Sequence, residues 1–230
     1  EDEMQSPADN RSYLARSFLI QRRGMALLGA AFPAAFLVSS LILGRTEFQT
    51  SISMYYWTLD PERNLFVGVL CAVAVFLILY KGRSNFEDWL LDAAGFSAAG
   101  LAFFPIHRTG DCSGPSVSAH GVFAVVFFAC IFVVCIFMSE HTLREIRDEN
   151  RRKRFRTLYR VCSGVMIGSV ALAIISRFFS ADFVRSLCVH RAAFWFEAVG
   201  VWAFSAFWYI KTRELDSTMS WVPFRRKREA

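Results

Sequence analysis

Three polar segments of the sequence carry residue types that catalytic and binding sites commonly use. They are "SIS" at 51–53, "HRTGDCSGPSVSAH" at 107–120 and "CVHR" at 188–191, and Glu197 follows the last of them. A histidine beside a serine can act as general base to a nucleophile, and three histidines can hold a zinc ion. A carboxylate among such groups can also bind the amine or hydroxyl of a polar ligand.

The spacing of these residues does not favour a metal. A catalytic zinc site needs three protein ligands and an open position, and the chain has neither an HxxxH nor an HExxH motif. We expect no metal and no cofactor, and the candidates for a metal site are His107, His120 and His190. The chain also has no GxSxG, no phosphate-binding glycine loop and no CxxC. A serine nucleophile would have to be Ser51, Ser53, Ser116 or Ser118, and nothing in the sequence decides among them. The catalytic candidates carried forward are His120, Glu197 and Ser53.

The polar segments are separated by apolar runs of membrane-spanning length. The chain is 54% hydrophobic, with a mean hydropathy of +0.34. Six runs approach the roughly 20 residues that cross a bilayer as a helix, and none alternates with the period of two of a barrel strand. They cover residues 24–44, 64–80, 89–106, 117–138, 158–179 and 192–210. We predict an all-α polytopic membrane protein, a bundle of six transmembrane helices.

This reading divides the chain into three parts. Residues 1–23 form a cytoplasmic segment with a short interfacial helix, 24–210 the transmembrane domain, and 211–230 a basic cytoplasmic tail. The acidic, polar start is no signal peptide, so the first apolar run would also serve as the insertion signal. The fourth loop is expected to be helical, since acidic and basic residues pair there at i,i+4, as at Glu140–Arg144 and Glu149–Lys153.

Basic residues predict the orientation. With six helices, 20 of the 26 lysines and arginines fall on the side that holds both termini. Because basic residues near helix ends stay in the cytoplasm, both termini are predicted to be cytoplasmic. The chain would be a multi-pass protein of the plasma or inner membrane, or of an endomembrane. The three polar segments then share the outer side.

The motif RRKR occurs twice on the cytoplasmic side, at Arg151–Arg154 and Arg225–Arg228. Each copy can contact anionic lipid headgroups, at about 1 kcal/mol per basic residue near the surface, or can serve only to fix the topology. No group that would read nucleic-acid bases accompanies these motifs, so we expect no nucleic-acid partner.

Ionisable residues within the predicted helices mark a site near the outer face. Glu197 lies five residues into the sixth apolar run, about 8 Å deep at 1.5 Å per residue. Arg177 lies near the outer end of the fifth helix and His120 at the outer start of the fourth. An Arg177–Glu197 pair flanked by His120 would form a functional site. The alternative is a satisfied polar cluster that only fixes helix register.

Two of the six cysteines, Cys112 and Cys188, fall in outer loops, where disulfides form readily. We predict a Cys112–Cys188 disulfide, and the alternative is two free thiols. Alkylation that adds mass at these residues only after reduction would support the bond. The other cysteines lie in apolar runs and are read as small packing residues.

Three stretches resemble a known family: "SISMYYWTLDPERNLFVG", "SAHGVFAVVFF" and "LCVHRAAFWFEAVGV". The chain resembles the six-helix DRAM-type family, which groups autophagy modulators with GPI-anchor remodelling and lipid-asymmetry proteins, or a related uncharacterised family of bacterial membrane proteins. The resemblance implies six helices, cytoplasmic ends and a role in lipid remodelling, lipid distribution or membrane trafficking. The family's outer histidine and sixth-helix glutamate correspond to His120 and Glu197.

Three functions compete on these observations, and whether the chain is an enzyme stays open. The first is to bind or remodel a membrane lipid in an outer-leaflet cavity. The second is a lipid hydrolase, with or without a metal, that uses the same residues with His120 as base. The third is a small-solute transporter or channel. Against it stand the lack of a clear inverted repeat or of matched glycine and proline breaks, and the lack of a polar pathway in the inner half of the bundle apart from Asp92. The residues expected to contact a lipid are Ser53, Tyr55, His120, Arg177 and Glu197.

The predicted orientation can be measured directly. Tags placed at residue 1 and residue 230 should be inaccessible to a membrane-impermeant label in intact cells and accessible after permeabilisation. Labelling of either tag from outside intact cells would contradict the orientation derived from the basic residues.

Overall fold

The fold was described from a computed structural model, which covers residues 7–44, 47–107, 118–144, 146, 148–175 and 191–219. These residues form helices and connecting segments, and no strand occurs among them. Each predicted apolar run has a helix over its described part, so the all-α prediction is confirmed. The expected interfacial helix is continuous with the first apolar run, because neither proline nor a glycine pair interrupts the chain between them.

The helices are numbered here in chain order, and two of them end in a π-helical segment. They are α1 (Pro7–Leu37, then π-helical Val38–Ile42), a 3₁₀ helix (Ile52–Trp57), α2 (Glu62–Leu79), α3 (Asn85–Phe103), α4 (Ala119–Val133, then π-helical Val134–Met138), α5 (Ser139–Leu143), α6 (Glu149–Ile175) and α7 (Ala192–Met219).

Serine side chains begin three of these helices. The hydroxyl groups of Ser84 and Ser118 accept hydrogen bonds from the third residue of α3 and of α4, and Ser51 does the same for Ser53 in the 3₁₀ helix. Each cap satisfies a backbone N–H that lacks a partner within its own helix. In two of the polar segments, a serine (Ser51 or Ser118) therefore has a structural role as a helix cap.

Five of the described helices are long and apolar enough to cross a membrane: Arg16–Ile42, Glu62–Leu79, Ala119–Phe137, Glu149–Ile175 and Ala192–Leu215. Helix α3 has 19 residues but carries three acidic groups in its first half. Large apolar side chains such as Leu79, Phe96 and Leu172 are exposed around the bundle. A soluble monomer rarely exposes so much apolar surface, so the chain is an integral membrane protein.

The six long helices pack in a closed ring, in the order α1, α2, α3, α4, α6, α7. The most extensive contacts join α1 and α6 to α7, and α2 and α4 to α3. The centre of the ring is rich in aromatic side chains, among them Phe127, Phe204, Phe207 and Trp208. Helices α3 and α7 thus make extensive contacts with both of their neighbours in the ring.

Small residues set the closest helix contacts, but not where the GxxxG spacing of α6 indicates. A Cβ atom at Gly95 would lie 2.6 Å from Ile78 and 2.9 Å from the carbonyl oxygen of Ala74, so α2 and α3 are in near-backbone contact. At Gly164 and Gly168 nothing lies within 4 Å of such an atom. Within the described bundle, these two glycines therefore do not form the close crossing that their spacing suggests.

Because Gly95 is tightly packed and Gly164 is not, adding a methyl group should affect stability differently at the two positions. Gly95→Ala should destabilise the fold by about 1–3 kcal/mol, the usual cost of overpacking a core. Gly164→Ala should be neutral or slightly stabilising, because alanine favours the helix and meets open space. Thermal unfolding of both variants in one detergent measures the difference. Equal losses would contradict the α2–α3 contact.

Candidate functional site

The carboxylate of Glu197 on α7 holds the start of the 3₁₀ helix. The Ser51 hydroxyl donates to both carboxylate oxygens, at 2.7 and 2.9 Å, and the Ile52 N–H donates at 2.7 Å. The Ser53 N–H is 3.4 Å from the same carboxylate. The Phe194 N–H donates to the Thr50 carbonyl at 2.8 Å, which adds a backbone link between α7 and this segment. A carboxylate at a helix N-terminus accepts orphan N–H groups and is favoured by the helix dipole.

The next residue of the 3₁₀ helix reaches the histidine that begins α4. The Ser53 Oγ lies 2.8 Å from His120 Nε2, and His120 Nδ1 lies 3.0 Å from the carbonyl oxygen of Phe104. A carbonyl only accepts, so Nδ1 carries hydrogen. In the neutral imidazole Nε2 is then the acceptor, and Ser53 donates to it. His120 is 6% exposed, whereas Ser53 is only half-buried.

Tyr55 lies where the apolar core meets this polar site. Its ring is fully buried and stacks on Phe36 at 4.2 Å between ring centroids. Its hydroxyl lies 2.6 Å from Ser40 Oγ and accepts a longer bond, 3.4 Å, from the Gln49 N–H. Burial raises the pKa of the Tyr55 phenol, which therefore stays neutral.

Beside Tyr55, a second buried carboxylate ties α1 to α2. Glu62 is 5% exposed and accepts a short hydrogen bond from the Ser39 hydroxyl. Two carboxylates, Glu62 and Glu197, thus each receive serine hydroxyl groups at one end of the bundle. Sequence reasoning placed Glu62 in a loop and gave it no role, and the Pro-Glu-Arg triplet at the start of α2 was the available signal.

Four of the expected ligand-contacting residues lie on described elements, and the structure joins three of them. Hydrogen bonds connect Glu197 to Ser53 and Ser53 to His120, while Tyr55 belongs to the same 3₁₀ helix. Glu197 reaches the histidine through this helix. Arg177, and with it the expected Arg177–Glu197 pair, lies outside the described residues, as do Cys112, Cys188 and His190.

The two candidate metal ligands within the described residues are His107 and His120. His107 lies four residues after the end of α3 and is exposed, whereas His120 is buried. Among the described residues, no group of three or more histidine, cysteine or acidic side chains is placed to hold a metal ion. The Ser53–His120–Phe104 line instead uses both imidazole nitrogens for hydrogen bonds.

Two arginines that the sequence reading left out border this end of the bundle. The Arg191 guanidinium lies 4.9 Å from the centroid of Phe48, and that of Arg63 lies 4.8 Å from the centroid of Tyr56. Both arginines are exposed. Stacking on aromatic rings leaves their N–H groups directed to the side, where an anion can be bound.

The opposite end of the bundle holds a buried charge cluster that the sequence, where only Asp92 was noted, did not indicate. Lys211 is 1% exposed, and its Nζ lies 3.7 Å from Glu87, which is equally buried. Glu214 accepts a short hydrogen bond from the Tyr159 hydroxyl. Sequence reading had placed Lys211 and Glu214 in a solvated tail and Glu87 in a loop, because it ended α7 at residue 210 and began α3 at 89.

Arg22 completes the cluster around Lys211. Its guanidinium donates to the Lys211 carbonyl oxygen at 2.7 Å and to the Tyr80 hydroxyl at 2.9 and 2.6 Å. These bonds connect α1 to α7 and to Tyr80, the residue that ends α2. Basic residues that served only to orient the chain are therefore also structural.

The comparison with known families bears on these elements. A profile described as "Protein of unknown function (DUF998)" matches residues 49–181, more than half of the chain. The chain belongs to this family. No curated protein and no solved structure matches it. Of the two resemblances stated above, the uncharacterised membrane family is supported, and the match gives no support to the DRAM-type family.

The DUF998 match covers part of the site. Ser51, Ser53 and His120 lie inside the matched residues, whereas Glu197 lies on α7, beyond them. The family profile therefore includes the Ser53–His120 pair and its capping serine, and the carboxylate that holds them comes from a helix outside it.

Removal of the Glu197 carboxylate should destabilise the fold. Glu197→Leu leaves the Ile52 N–H and the Ser51 hydroxyl without their acceptor, and we expect a loss of about 2–4 kcal/mol. Glu197→Gln keeps an acceptor oxygen and should lose less. The exposed Glu47 is the control, since Glu47→Leu should change stability by about 0.5 kcal/mol or less. Unfolding temperatures of the detergent-solubilised variants that fall in another order would contradict the clamp.

Proposed function

We propose that this DUF998 protein binds the headgroup of a membrane lipid at the Glu197 end of the bundle and helps to handle or remodel that lipid. The observation that carries the proposal is the hydrogen-bonded line from Glu197 through the 3₁₀ helix to His120. The line lies where the apolar helices end, which is the depth of lipid headgroups.

The groups around the line suit a zwitterionic or hydroxylated phospholipid. Arg191 and Arg63 offer N–H groups to a phosphate, and Glu197 offers a carboxylate to an amine or hydroxyl. Trp195 and Leu59 are exposed next to these polar groups and suit the first carbons of acyl chains. Arg177 is proposed as a further phosphate ligand. With cytoplasmic termini, the lipid would come from the outer leaflet.

A lipid held in this way depends on the charge of Glu197. Glu197→Gln, which keeps the shape, should reduce the amount of co-purified lipid about tenfold, the usual effect of losing one charge-assisted hydrogen bond. Native mass spectrometry of the full chain in mild detergent measures the bound lipid. Glu47→Gln serves as the control for the loss of one exposed negative charge. Equal lipid content in both variants would refute the proposal.

A second candidate function, lipid ester hydrolysis or acyl transfer, is favoured by the Ser53–His120 hydrogen bond. The imidazole nitrogen that faces Ser53 is the acceptor, because the Phe104 carbonyl holds the hydrogen on the other nitrogen. His120 would take the Ser53 proton as Oγ attacks an ester carbonyl and would return it to the leaving alcohol. Water or a second alcohol would then release the acyl group from Ser53.

This chemistry makes Ser53 more reactive than an ordinary serine. A fluorophosphonate should label Ser53 in the wild-type protein, and Ser53→Ala and His120→Gln should lose the label. Ser40→Ala, which removes a hydroxyl from the neighbouring Tyr55 contact, should keep it. If wild-type protein is not labelled while it still binds lipid, the site only binds and does not catalyse.

A further inference from the structure

A cavity of about 210 Å³ lies at the other end of the bundle, between the end of α4, helix α5 and the start of α6. Its walls are mixed. Phe137 and Leu143 contribute apolar surface, Tyr159 is buried at its base, and Arg156 and Arg160 bring two positive charges. Neither the Glu197 site nor the family match assigns a ligand to this cavity.

The cavity carries more positive charge than its one acid neutralises. Glu140 accepts two hydrogen bonds from Arg156, at 2.6 Å from Nε and 2.8 Å from Nη2. This hydrogen bonding holds the pKa of Glu140 below its usual value, and the charges of Arg156, Arg160 and Arg144 lower it further. Three arginines therefore act on a single carboxylate, and an anion entering the cavity would meet a net positive field.

The sequence expected Glu140 to pair with Arg144, one turn along a continuous helix. That helix ends at Leu143, so Glu140 reaches across to Arg156 on α6 instead. The neighbouring expectation is confirmed, because Glu149 and Lys153 pair at 2.9 Å. Because the chain leaves the helix after Leu143, α5 and α6 are separate helices, and Glu140 lies on the cavity wall between them.

The cavity also lies at the depth of lipid headgroups. The apolar span of α4 ends at Phe137, which is 56% exposed on the cavity wall. On α6, Arg160 is followed by residues 161–175, which carry no charge and extend for about 22 Å at 1.5 Å per residue. A phosphate between Arg156 and Arg160 would have water on one side and the acyl region on the other.

We propose that this cavity binds the phosphate group of an anionic phospholipid, with Arg156 and Arg160 as its ligands and an acyl chain along Phe137. Basic pockets between transmembrane helices are a recurrent form of anionic lipid site. Glu140 acts as an internal competitor that occupies Arg156 when no lipid is bound. The site is separate from the RRKR motif at Arg151–Arg154, of which Arg151, Lys153 and Arg154 are exposed, and from the Glu197 site.

The experiment uses the full chain in phosphatidylcholine nanodiscs, with phosphatidylglycerol titrated in and its retention measured by native mass spectrometry. Arg160→Gln should weaken retention about tenfold, as expected for loss of a charge-assisted contact. Arg154→Gln is the matched control: it removes the same charge from the same helix, on a face about 120° away from Arg160. An equal weakening by both variants would show diffuse surface attraction and overturn the proposal.

Glu140→Gln supplies a test in the opposite direction. Removing the competing carboxylate should strengthen phosphatidylglycerol binding about twofold to fivefold, the ratio that corresponds to the loss of a partly exposed ion pair. A variant that merely disturbed the fold would not bind more tightly. Inorganic phosphate at millimolar concentration should compete only weakly. If it displaces the lipid completely, or if Glu140→Gln weakens binding, the site is not one for a phospholipid.

Discussion

The capture of the 3₁₀ helix by Glu197 is the interaction on which the candidate site depends. Three donors from residues 51–53 meet one carboxylate, and this fixes a short helix that has too few residues to be stable alone. Once the helix is fixed, Ser53 faces His120 and Tyr55 enters the core against Phe36. Without the carboxylate, the same segment would be a loop with unsatisfied N–H groups near the acyl region.

The bilayer explains why both ends of the bundle carry buried polar clusters. A polar group that faces hydrocarbon has no water to bond, so it must find a partner within the bundle. At one end the carboxylates of Glu62 and Glu197 receive serine hydroxyl groups. At the other, Glu87 lies beside Lys211, and Glu214 receives the Tyr159 hydroxyl. Between the two ends, the described core is filled by aromatic and aliphatic side chains.

This layering would keep the two proposed lipid sites apart. The Glu197 end combines a carboxylate, a histidine and a serine, which suits recognition or chemistry of a headgroup. The Arg160 end combines arginines with an apolar wall, which suits retention of an anionic lipid. The packed aromatic middle holds the ends apart by the 14 residues from Glu197 to Lys211 on α7, about 21 Å at 1.5 Å per residue. If both proposed sites bind lipid, one chain would hold a lipid at each end of the bundle.

The sequence by itself predicted the long apolar helices, because a run of about 20 apolar residues is a local property and is the length needed to cross a bilayer. It also indicated Glu197 and His120, since ionisable groups in apolar runs or at their ends are uncommon, whereas Ser53 was one of several candidate serines. Only the tertiary structure decided their partners: Glu197 accepts from a segment 144–146 residues away in the chain. The same holds for Lys211 beside Glu87 and for Gly95, rather than Gly164, at a close crossing. Which residues meet depends on the order of helices around the ring, and no local pattern encodes that order.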